Sequence, residues 1–488
     1  MDVKKTAAKP LHIVISLVLL AAFAFMPPLA GLSAAGQKVI GLMLFAVYVW
    51  VTEAVSYPLS AIAILFFLII FLGFSPANGI SGPLLGTTKA IPLAFSGFIN
   101  PGWVLVAGGI CMAEGVRFSG LDKRIALNIL KIVGTEPKRI IAGIIIVGYV
   151  LAFIIPSIAA RAATIIPISF GLITALKIDL KSTFARYLML TTGLVSPIAG
   201  LMLLSAGAPN PLVVTFLDKV THHHISWNEW FVYAGPFSII LGILLYLLVV
   251  KMNKFETAYV EKGKELIAQS LTELGPLTPR EKRTAAILAI AILLWATESL
   301  HGIDANTTSV LAVMLMFAPF VGIGGWKDFG TKMDWGTLLL FGAGISMSEI
   351  LIKTGAAVWM AKNSLGYLGL GSLSPIAILI VLAVPLLIIR LAFASIVAIV
   401  AAVVPTMLGF LTGLNNPAMP VWGMTLVISF LVYFSFLLPV NTPSAMMAYA
   451  TDTYELKDML RIGIPLTILG LGVFILFLYT YWRVLGLL

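Results

Sequence analysis

Two stretches of this chain read as copies of one another, and the likeness continues into the residues beyond each. Ala107-Gly-Gly-Ile-Cys-Met-Ala-Glu114, closing at Gly120, returns as Gly342-Ala-Gly-Ile-Ser-Met-Ser-Glu349, closing at Gly355. Some forty residues on, each copy is followed by a serine in an apolar segment, Ser157 and Ser395, with a proline ten residues further, Pro167 and Pro405. A chain built this way is two related units, and paired membrane-buried halves are the usual construction of a secondary transporter.

The solvent for those halves follows from composition. With 60% hydrophobic and 11% charged residues and a mean hydropathy of +1.05, the 488 residues cannot present a solvated surface around one core. Apolar runs from Leu11 to Leu32 at one end to Leu460 to Leu487 at the other predict roughly eleven crossings plus re-entrant pieces, at about twenty residues per helix. The net charge of +10 sets orientation and contacts anionic lipid rather than nucleic acid. A single cysteine, Cys111, leaves no intrachain disulfide. Lys4, Lys5 and Lys9 before the first apolar run resemble a signal segment, but the many later spans favour a retained first helix with a cytoplasmic N-terminus.

Charge also orders the chain. The stretch 251–283 is the long polar segment, carries Lys251, Lys254, Lys262, Lys264, Arg280, Lys282 and Arg283, and is expected in the cytoplasm between the two halves. Cations flank the apolar pair Ile140 to Leu176 on both sides, so its two arms return to the side they left, meeting at Pro156-Ser157. A full there-and-back pair of spans also satisfies those flanks; a Pro-Ser tip favours a re-entrant hairpin, because irregular backbone is tolerated where it lines a cavity. The pair from Ile376 to Leu411 has few flanking cations and reads as opening outward. One hairpin opening inward and one outward is the arrangement of inverted repeats.

Several residues could carry chemistry. Ser157 and Ser395 each begin an apolar helical run, where a serine oxygen caps free N–H groups and the helix start favours an anion. The alternative is two ordinary caps. Arg161, four residues past Ser157, and Arg390, five before Ser395, sit among apolar neighbours at an insertion cost of roughly 2.5–3.5 kcal/mol each. They are expected to face one cavity as permanent positive charges for a doubly charged anion, unless they reach an interface or pair with Glu114 or Glu349. Gly207-Ala-Pro-Asn-Pro211 and Pro439-Val-Asn-Thr-Pro443 interrupt apolar runs and put Asn210, Asn441 and Thr442 inside the membrane. These form a site wall or a kink bonded back to the backbone. Glu114 and Glu349 hold identical positions in the repeat and are expected to pair with Arg117 and Lys353 at the next turn, the alternative being a role as proton or cation ligands. His222-His223-His224 has no carboxylate cluster near it in sequence, so no metal is expected, and no cofactor or catalytic motif is found. A channel, an enzyme or a sensor that has lost transport remain the rival classes, none with its parts in view.

On Ser119-Gly-Leu-Asp-Lys-Arg-Ile-Ala-Leu127, Pro156-Ser-Ile-Ala-Ala-Arg161, Gly207-Ala-Pro-Asn210, Ile225-Ser-Trp-Asn-Glu-Trp230, Gly275-Pro-Leu-Thr-Pro-Arg-Glu-Lys-Arg283 and Arg390-Leu-Ala-Phe-Ala-Ser395, nearly the whole chain resembles the divalent anion/sodium symporter family, in its branch of bacterial dicarboxylate and citrate exchangers. The resemblance implies an all-α polytopic membrane protein of two inverted repeats, each with a re-entrant hairpin and a broken helix, arranged as a scaffold and an elevator-type transport domain in a homodimer. Scaffold helices are then expected over 1–100, 223–335 and 460–488. The transport domain takes 101–222 (hairpin 138–177, broken helix 187–220) and 336–459 (hairpin 373–413, broken helix 421–452). The family's Ser-Asn-Thr tip triplets hold substrate carboxylates and sodium; here they read Ser157-Ile158-Ala159 and Ser395-Ile396-Val397, so the amide and hydroxyl ligands are replaced by aliphatic groups. The expectation is obligate, sodium-independent exchange of di- or tricarboxylates, bound by Ser157, Ile158, Ala159, Arg161, Asn210, Arg390, Ser395, Ile396, Asn441 and Thr442. The alternative is a sodium- or proton-coupled symporter for a dicarboxylate or sulfate.

Overall fold

The computed structural model describes residues 9–77, 82–255, 260–364, 370–414, 416 and 419–488; Lys4 and Lys5 fall outside them. Helix accounts for 78% of the chain, and no strand forms among the described residues. In order the helices are α1 Pro10–Phe25, α2 Ala34–Thr52, α3 Tyr57–Gly73, α4 Thr87–Ala94, α5 Pro101–Ser119, α6 Leu121–Val133, α7 Pro137–Ile154, α8 Ile158–Ala175, α9 Thr183–Met202, α10 Pro209–Thr221, α11 Trp227–Met252 and α12 Val260–Glu273. They continue as α13 Pro279–Ala296, α14 Glu298–His301, α15 Ala305–Phe317, α16 Trp335–Lys353, α17 Ala356–Ser364, α18 Pro375–Ala392, α19 Ile396–Gly413, α20 Val421–Ser429, α21 Pro443–Tyr449, α22 Leu456–Tyr479 and α23 Tyr481–Val484.

Their boundaries are written locally. Proline occupies the first turn of α5, α7, α10, α13, α18 and α21, where its missing N–H costs nothing. Ser226 with Glu229, and Thr278 with Glu281, close reciprocal capping boxes at the starts of α11 and α13. The repeat motif has two structural reasons. Its closing glycines, Gly120 (φ +80°) and Gly355 (φ +71°), adopt the left-handed conformation that ends α5 and α16. Its inner glycines admit a neighbouring segment: a Cβ on Gly109 would stand 2.9 Å from Pro156 of the first hairpin tip, and one on Gly344 would stand 3.1 Å from Ala401 of α19.

The protein is a multi-pass membrane protein. Among the described residues nine helices are long and apolar enough to cross a bilayer, and both arms of each hairpin are among them. The expected count of about eleven is reached only by adding the bent pair α5–α6 and shorter apolar helices such as α1, α3 and α15. After α5 the chain bends by 69° into α6, whose polar residues suit an interface. The polar stretch 251–283 holds one helix, α12, whose Ile267 is buried. It is tied to α6 through Arg124, which donates to Glu281 (Nε to Oε1, 2.6 Å) and to the carbonyl of Gly275 (2.9 Å).

Candidate functional site between the hairpin tips

Both tips have one geometry. At each, one arm ends, three residues run without helix, and the last of them, a serine in extended conformation (Ser157 φ −147°, Ser395 φ −118°), caps the second arm. Each Oγ accepts the backbone N–H three residues on, Ala160 and Ala398, both at 3.3 Å. Its own hydroxyl proton remains to be donated. The two breaks also match: Leu203 and Leu438 are extended, a 3₁₀ turn follows at Leu204–Ala206 and Pro439–Asn441, and Gly207 and Thr442 are extended before α10 and α21.

These four points meet in one chamber of about 90 Å³. Its walls are Pro156, Ser157, Ile158 and Ala159 of the first tip and Ser395, Ile396 and Val397 of the second, with Ala208, Pro209, Thr442 and Pro443 of the breaks. Ile110, Asp334 and Thr337 complete it. The starts of α8, α10 and α19 therefore point into a common space, which concentrates partial positive charge and suits an anion.

The guanidinium groups, expected to face this chamber, do not line it. Both arginines are fully buried. Arg161 Nη1 donates to the carbonyls of Ile155 (2.7 Å) and Ala206 (2.6 Å), and Nη2 to that of Ser196 (2.9 Å). Arg390 donates through Nη1 to Phe393 (2.5 Å), Nη2 to Asn441 (2.6 Å) and Nε to Val432 (2.6 Å). Ile155 and Phe393 stand two residues before their serines, and Ala206 and Asn441 each end the 3₁₀ turn of a break. The cations thus enter matched nests of backbone oxygens behind the tips, although one arrives from the second arm of its hairpin and the other from the first. The physical reason is the unfinished backbone: helix ends and breaks leave carbonyls without donors inside the membrane, and a charged donor there satisfies several at once. Neither arginine pairs with Glu114 or Glu349.

Asn210 and Asn441 also turn inward rather than to the chamber. Asn210 Nδ2 donates to the carbonyls of Gly200 and Leu203 (both 2.8 Å), and its Oδ1 accepts from Tyr433 OH (2.5 Å). Asn441 Nδ2 donates to the carbonyls of Leu391 (3.0 Å) and Phe393 (3.1 Å), closing the end of α18. These are kinks bonded back to backbone. Of the ten residues expected to bind substrate, Ser157, Ile158, Ala159, Ser395, Ile396 and Thr442 share the chamber wall; Arg161, Asn210, Arg390 and Asn441 stand behind it.

Outside the chamber, Glu114 pairs with Arg117 at 3.0 Å, and Glu349 pairs with Lys353 at 3.7 Å and with Lys219 of α10. The three histidines do not converge on one point. His223 stacks on Trp422 with ring centroids 3.8 Å apart, and His224 approaches Glu298 at 4.0 Å. Glu298 raises the pKa of His224 above its usual range, against an opposing effect of burial. A separate cavity lies beside this loop, lined by Thr215, Lys219, His224, Trp227 and Glu298. Sequence reasoning missed Asp334, Thr337 and Tyr433. Asp334-Trp-Gly-Thr337 before an apolar run carries the signal of a helix cap, but nothing in its spacing places that cap beside the tips.

Comparison with known proteins agrees with this architecture. The profile of the sodium:sulfate symporter transmembrane region matches residues 7–488. A membrane protein of Cupriavidus necator is 37% identical over 94% of this chain and 90% of its own length. The citrate/succinate antiporter of Escherichia coli is 28% identical over 84% of each chain, and the L-tartrate/succinate antiporter of the same organism is 28% identical over 80% of this chain and 81% of its own. Among solved structures, the YdaH transporter of Alcanivorax borkumensis superposes with a TM-score of 0.55 at 13% identity, covering 86% of this chain and 98% of that one, and shares the fold.

Proposed function

The chain belongs to the sodium:sulfate symporter transmembrane family, and we propose that within it the protein is a secondary carrier, not an enzyme, that exchanges di- and tricarboxylates across the cytoplasmic membrane without sodium. The observation that carries this reading is the pair of arginine heads in matched carbonyl nests behind the tips. Clustered carbonyl oxygens in a membrane are what a hard cation would seek. Here each cluster is filled by a charge on a covalent tether, which cannot be taken up and released with substrate, and the aliphatic residues after each serine add no ligand.

The guanidinium groups act on the substrate through the field rather than by contact. At an effective dielectric of about 20, opposite charges about 8 Å apart still gain roughly 2 kcal/mol. Two such charges and three helix starts balance a dianion in the chamber, with Ser157 and Ser395 donating to its carboxylates. Asp334 in the chamber wall is exposed at its mouth and screened by solvent, so the empty moving part would still carry two buried guanidinium charges without a counter-ion past hydrocarbon, at several kcal/mol. Return without substrate is thereby slowed, and transport becomes exchange. The names of the antiporter relatives support the substrate class. In this reading the hairpins and broken helices move together as the elevator part of a homodimer, with the 251–283 stretch in the cytoplasm.

Counterflow in proteoliposomes tests it. Labelled succinate should enter vesicles loaded with succinate, citrate or tartrate, and a sodium gradient should change nothing. Strong uptake into empty vesicles driven by sodium or protons would replace exchange with symport.

A further inference from the structure

Resting on the carrier reading above, we propose that Asp334 and Thr337 select which dicarboxylate is carried: the site takes one whose carbon chain bears a hydrogen-bond donor, a hydroxyl or an ammonium, in preference to an unsubstituted diacid.

The chamber has two chemically different sides. Around the tips it offers Ser157 and Ser395 hydroxyls and helix starts, all of which accommodate anionic oxygen. The start of α16 also lines the chamber. Among the described residues, Asp334 is the one ionisable side chain in the chamber wall. Its Oδ1 accepts the backbone N–H of Thr337 at 3.0 Å, and its Oδ2 accepts the Thr337 hydroxyl at 2.5 Å. Thr337 has therefore spent its proton on the aspartate. What remains is a set of lone pairs: the unused ones on both carboxylate oxygens and those on Thr337 Oγ1. This side can accept hydrogen bonds and cannot give them.

The aliphatic side chains Ile158, Ala159, Ile396 and Val397 offer a substrate substituent no partner, and the Thr442 hydroxyl is engaged with Ser444 and the Ala445 N–H, so Asp334 and Thr337 decide which substituent the chamber accepts. A third ionised carboxylate there meets like charge. A methylene leaves the acceptors to water, and a hydroxyl or ammonium fills one of them. Repulsion of a third carboxylate and the charge-assisted hydrogen bond offered to a donor are the two differences from which selectivity is built. Asp334 stands exposed at the mouth, so its influence is moderate rather than absolute.

The test uses proteoliposomes of the full chain loaded with succinate, with uptake of labelled succinate competed by unlabelled succinate, malate or aspartate. Malate or aspartate is expected to compete at least about threefold better than succinate, and the two arms distinguish a hydroxyl from an ammonium. Asp334→Asn still caps α16 but presents an amide donor, and should shift the ratio by about fivefold toward succinate. Asp334→Ser, another capping residue without charge, should shift it in the same direction and serves if the asparagine variant is poorly folded. Equal competition by all three acids in the wild type, or a ratio that neither variant moves, overturns the inference while leaving exchange intact. Failure of the wild type to exchange any acid removes the carrier reading and this inference with it.

Discussion

The two halves solve the same problem by different routes. In the first, Arg161 reaches its nest from the second hairpin arm and uses only its terminal nitrogens, leaving Nε without a partner. In the second, Arg390 comes from the first arm and spends all three nitrogens on three separate carbonyls. What the halves preserve is a positive charge at a fixed place in the backbone scaffold, and the residue that carries it is free to move along the chain. The first nest also has a glycine set against its arginine: a Cβ on Gly200 would stand 2.9 Å from Arg161 Nη2 and from Ile158.

The largest effect that would break the comparison comes from removing either charge. Arg161→Ala and Arg390→Ala should each abolish exchange and lower thermal stability. Each strips a charged donor from three buried carbonyls, of which Ile155 keeps the Ser157 N–H and Phe393 keeps the Asn441 amide, and each carbonyl left unpaired costs about 1–3 kcal/mol. Counterflow with a melting curve in detergent checks both, and retained exchange in either variant would show that the nests need no charge. Lysine then sharpens it. A lysine at 161 offers three donors from one point, which suits the first nest, whereas at 390 it cannot span three separated carbonyls. Arg390→Lys should exchange at least about tenfold more slowly than Arg161→Lys, and equal rates would erase the distinction between the halves. Next, Gly200→Ala should cost about 1–3 kcal/mol by pressing on Arg161 and the Ile158 tip together. A melting temperature equal to wild type would contradict the close packing.

The smallest effect lies in the loops beyond the two broken helices. After α10 His224 faces Glu298; after α21 Asp452 faces Lys181 and Asp458 faces Arg186, pairs with no imidazole. Because Glu298 raises the pKa of His224 in the folded protein, the stabilisation is present below the unfolded pKa and fades as pH rises through the folded one. Melting temperature should therefore drift down slightly across that window in wild type and stay flat in Glu298→Gln; identical slopes would show that this contact adds no stability.

Much of this protein was legible in its sequence because membranes enforce simple rules. Long apolar runs must be helices, and Pro-Ser or Pro-Asn-Pro in mid-run must break them. The repeat, the two serines, the two breaks and the pairs Glu114–Arg117 and Glu349–Lys353 all follow from spacing along one helix or one turn. The direction of Arg161 and Arg390 did not. An arginine among apolar residues announces a partner but not which one, and four of the six backbone oxygens that claim the two arginines belong to segments 35 to 51 residues away. Asp334 joins the tips from still further along the chain than Ser157, although its capping role is local. Linear pattern determines which backbone groups lack partners; only the packed structure decides which side chain reaches them, because that depends on distances between segments that share no register.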